Sequence, residues 1–157
     1  MSTERFDPFV SEWIAFSKNP NYNLIEKCLK LAQILEHHDL DVSKYVEKIN
    51  DIGNSLRMKI SGIKNPTYLI SMLNEYLFDE LGFRGAEEDY YDPGNSFLNI
   101  VFNKKTGIPI TLSIIYAEIA KKIGLDLKIV GFPGHVIVKY KNEIIFCLLY
   151  TSPSPRD

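Results

Sequence analysis

Apolar side chains at Leu24, Ile25, Cys28, Leu31, Ala32 and Leu35 recur in steps of three and four. That spacing predicts a one-sided helix over "NLIEKCLKLAQILEHH". A shorter amphipathic stretch, "DPFVSEWIAFSK", precedes it, with Pro8 tolerable in a first turn. The pattern breaks at "DLD". Asp41 then suits the N-cap of a third helix, in which Val42, Tyr45, Val46, Ile49, Ile52 and Leu56 repeat at helical spacing. Gly53 inside it costs about 1 kcal/mol of helix propensity. After the linker "SGIKN", Asn65 and Pro66 read as a cap and a first-turn proline. The helix they start runs through "TYLISMLNEYLFDELG" and stops at Gly82.

"FRGAEEDYYDPGNS" has no periodicity and predicts a loop of about a dozen residues, a length often tied to function. "SFLNIVFNKKTG" predicts a short helix closed by Gly107. "PITLSIIYAEIAKKIG" is a clear helix, with Pro109 near its start, Lys121 and Lys122 in its last turn and Gly124 after it. The period then changes to that of strands in "LKIVG", "HVIVKY" and "EIIFCLL", the last two joined tightly through "KNE". The expected fold class is α+β, a helical N-terminal lobe followed by one central helix and an antiparallel sheet. No internal repeat interrupts this order.

Composition narrows the function classes. Of 157 residues, 45% are apolar and 24% charged, the balance of a soluble globular domain. Eighteen basic residues against 20 acidic ones give a net charge of −2, so no strong field favours nucleic acid or anionic lipid. Neither a signal-peptide core nor an apolar run near the roughly 20 residues of a membrane span is present. Two cysteines without a CxxC make no disulfide framework. These features lead us to expect a reduced, cytoplasmic protein with no cofactor and no nucleic-acid or membrane partner.

The candidate chemistry sits in three places: the polar residues of the 83–99 segment, the hydroxyls at the start of the 109–123 helix, and His135. A nucleophile at a helix N-terminus gains from free N–H groups and the dipole. A histidine on a neighbouring strand can take its proton, and a carboxylate on the next strand can orient the imidazole. Adjacent His37 and His38, with Asp39 and Asp41, lack repeated metal-ligand spacing, so no metal site is expected. Cys28 reads as a helix-face core residue.

The motifs "GFRG", "DYYDPGNSFLN", "GIPITLS" and "GFPGH" occur in that order. With the upstream "HHDLDVSKYVEKINDIG", they resemble the SirB-type family of bacterial transglutaminase-core-like proteins over roughly residues 20 to 146. The resemblance implies a papain/transglutaminase-like fold, whose active members use Cys, His and Asp. Their cysteine stands two residues after a glycine at the start of the core helix. Counted from Gly107 that position is Pro109, and no cysteine lies nearby. His135 matches the family histidine. Where the family reads Asp-Pro-Phe after the last strand's "IIF", this chain has Cys147. The segment "CLLYTSPSPRD" resembles translated adapter sequence. The expected organisation is therefore a helical region over 1–64, an incomplete core over 65–146 and a non-native tail over 147–157.

Two functions follow from this resemblance. The first is a transglutaminase-like binding or regulatory module without the catalytic cysteine, taking a protein or peptide partner in a cleft around His135. Arg84, Asp89, Tyr90, Asp92, Asn95 and Asn99 are its candidate ligand-binding residues. The second is an atypical hydrolase or acyl-transferase, with Ser113 or Thr111 attacking and His135 as base. Each residue also has a plainer reading. The two hydroxyls can bond to helix backbone, Asp92 and Asn95 can pin the loop, and Arg84 can hold loop carbonyls. "EEDYYDP" can likewise be a cation-binding loop or one held by its own turn bonds.

Overall fold

The computed structural model describes residues 8–132, 135–141 and 143–145. Four helices come first: α1 (Pro8–Lys18), α2 (Leu24–Leu35), α3 (Val42–Lys59) and α4 (Pro66–Asn74). Their starts follow local chemistry. The Asn23 side chain accepts from Glu26 N–H, and the Glu26 carboxylate accepts from Asn23 N–H, which is a capping box. Asp41 caps α3, and Asn65 caps α4 ahead of Pro66. α4 runs on as a π-helical turn, Glu75–Glu80, which helical spacing alone does not announce. Gly82 then turns the chain at φ 79°.

The 83–97 stretch has more structure than its lack of periodicity suggests. Arg84–Gly85 forms β1, which pairs in parallel with β2, Thr106–Gly107. Pro93–Ser96 is one turn of 3-10 helix capped by Asp92. Between them and β2 lies α5 (Leu98–Lys104). The expected stop at Gly107 is corrected to Lys105, which takes a left-handed conformation at φ 59°. Gly107 is instead a strand residue with crowded neighbours. A Cβ there would lie 2.8 Å from Val101 Cγ1 and from Thr111 Oγ1.

The central helix is α6 (Pro109–Lys122). Its sequence is apolar almost all round, and Thr111 to Tyr116, Ile119 and Ala120 are all buried. α2, α3 and α5 pack against it, as does a sheet of β3 (Leu127–Phe132), β4 (His135–Tyr140) and β5 (Glu143–Ile145). That sheet is antiparallel in sequence order, with Ile129 opposite Val138 and Val138 opposite Ile145. The core joins Leu29, Ala32, Ile49, Leu56, Leu73, Ile115, Ile119 and Val138. The α3–α6 crossing is close because Gly53 has no side chain to oppose Lys122. Beside it, Arg57 Nε and Nη2 donate to Lys122 O at 3.0 and 2.8 Å, satisfying a helix-end carbonyl. The fold is α+β, as the change of period predicts. Among the described residues no helix is long and apolar enough to cross a membrane.

Candidate functional site

The polar loop is tied down by its own side chains. Asp92 Oδ1 accepts from Gly94 N–H at 2.8 Å. Asn95 is 6% exposed, and its Nδ2 donates to the carbonyls of Asp89 and Tyr90. Its own carbonyl accepts from Thr111 Oγ1 at 2.9 Å. Thr111 Oγ1 also accepts from Ile108 N–H at 3.2 Å and has Ile108 O as a second acceptor at 3.1 Å. One hydroxyl thus joins the loop to the first turn of α6. Tyr90 is half-buried, and Tyr91, 92% exposed, meets it edge to face.

Ser113 lies deeper. It is fully buried, and among the described residues its Oγ finds no hydrogen-bond partner. Asn99, 4% exposed on α5, is similar: its Oδ1 has no partner among the described residues. His37 has both ring nitrogens buried and, among the described residues, without a hydrogen-bond partner, its ring 5.3 Å from that of Phe97. Among the described residues no three His, Cys, Asp or Glu side chains gather where they would hold a metal ion. Cys28 has a half-buried thiol whose pKa burial raises, the reverse of an activated nucleophile.

An open cleft of about 1010 Å3 lies beside the loop. β1 forms one wall, continued by Ala86 and Glu87 to Asp89. The half-buried Phe78 and the buried Phe83 also line it, with Lys104 and, on β2 beside Arg84, Thr106. Phe83 is held from behind, with Lys105 Nζ 4.6 Å from its ring centroid and 4.6 Å from that of Phe102. Burial first, and the Lys48 charge second, lower the Lys105 pKa. Five charged side chains of both signs line the cleft, and among the described residues none is ion-paired.

Of the residues singled out by sequence, Arg84, Asp89 and Asn95 line this cleft. Tyr90, Asp92 and Thr111 belong to the network that fixes its loop. Ser113 and Asn99 are buried away from solvent. The backbone of His135 pairs with Phe132 at the start of β4, and its side chain lies outside the described residues, as do Cys147 and the 147–157 segment. Phe78, Phe83, Lys104 and Thr106 are cleft residues that sequence reasoning missed. They come together through the β1–β2 bridge and the π-helical turn, neither of which has a local signal.

The Transglutaminase-like superfamily model matches residues 43–148, from the start of α3 through the sheet. The chain belongs to the transglutaminase-like superfamily. The chain is 38% identical over 104 residues to a UPF0162 protein of Xylella fastidiosa, covering 66% of this chain and 37% of that protein. It is 33% identical over 105 residues to human F-box only protein 21, covering 63% of this chain and 17% of that protein. A UPF0162 protein of Haemophilus influenzae is 28% identical over 101 residues. The chain thus spans little more than a third of the length of these two bacterial relatives. No solved structure matches it.

Proposed function

We propose that this is a SirB-type, cysteine-less member of the superfamily that works as a binding or regulatory module, with the cleft beside β1 as its working surface. The observation that carries this reading is the start of α6. Pro109 stands where the family resemblance places the thiol, and the Thr111 hydroxyl is spent on backbone groups. A nucleophile needs a free lone pair and an adjacent base. The cleft, by contrast, offers charges that form no ion pair among the described residues and the half-buried Phe78 ring, which suit a protein or peptide partner.

One observation favours a second reading, an atypical hydrolase or acyl-transferase. Among the described residues the Ser113 hydroxyl has no partner, so it is not held in a backbone bond there. Its complete burial opposes this, because a substrate carbonyl must reach the oxygen. Labelling with a fluorophosphonate probe separates the two. The binding reading predicts no adduct on Ser113 or Thr111 by peptide mass mapping. A stoichiometric adduct lost in Ser113→Ala or Thr111→Val, and weakened in His135→Ala, would establish the enzyme instead.

A further inference from the structure

We draw no further inference here: the strongest candidate, the aliphatic groove in which Leu24 of α2 and Ile114 and Ala117 of α6 meet Leu127 and Ile129 of the edge strand β3, is an apolar face, and nothing in the structure shows what covers it.

Discussion

Ser113 and Thr111 are two residues apart on α6 and have opposite circumstances. Thr111 serves three backbone groups, whereas Ser113 has no partner among the described residues. Both are small hydroxyls in a helix start, so sequence alone treats them alike; tertiary packing separates them. Removing an unsatisfied buried hydroxyl is neutral or favourable, and alanine is the better helix former. Ser113→Ala should therefore hold or raise stability by up to about 1 kcal/mol, whereas Thr111→Val should lose about 1–3 kcal/mol, both read from urea midpoints. Cys28 gives a pH test. Burial raises its thiol pKa, so the protonated form is favoured in the fold. Its contribution is whole below the unfolded value, about 8.5, and is lost as pH rises through the folded value. Wild type should therefore lose stability relative to Cys28→Ala between pH 7 and pH 10, when both are measured in parallel.

Among the elements, the helices were legible because their signals are local. Asn23, Asp41 and Asn65 cap where their side-chain chemistry says they should, and Gly124, at φ 90°, ends α6. The β1–β2 bridge, the π-helical turn and the left-handed Lys105 were not legible, since each depends on packing between segments remote in sequence. Gly53 shows the same limit. Propensity alone makes Gly53→Ala stabilising by about 1 kcal/mol. In the fold, a Cβ there would lie 2.9 Å from Lys122 Cβ and closer still to that side chain's Cδ. Overpacking costs about 1–3 kcal/mol, so the substitution should be net destabilising in thermal melts. Gly107→Ala should cost a similar ~1–3 kcal/mol, through Val101 and Thr111.

At the scale of the molecule, the period change from 3.6 to 2 was enough to place a helical lobe before a sheet, and the apolar α6 had to be the buried centre. The site was only half legible. Polar residues of the loop pointed to Arg84, Asp89 and Asn95, but Phe78, Lys104 and Thr106 arrive from elsewhere in the chain. What the fold assembles is an open charged groove beside β1 and a sealed hydroxyl within α6. The central claim is that the groove, and not that hydroxyl, is the working part. The most direct measurement is the affinity of one library-selected peptide for wild type, Arg84→Glu and Ser113→Ala by fluorescence anisotropy. The account predicts a loss of about tenfold or more for Arg84→Glu and none for Ser113→Ala. Full affinity in Arg84→Glu together with loss in Ser113→Ala would contradict it.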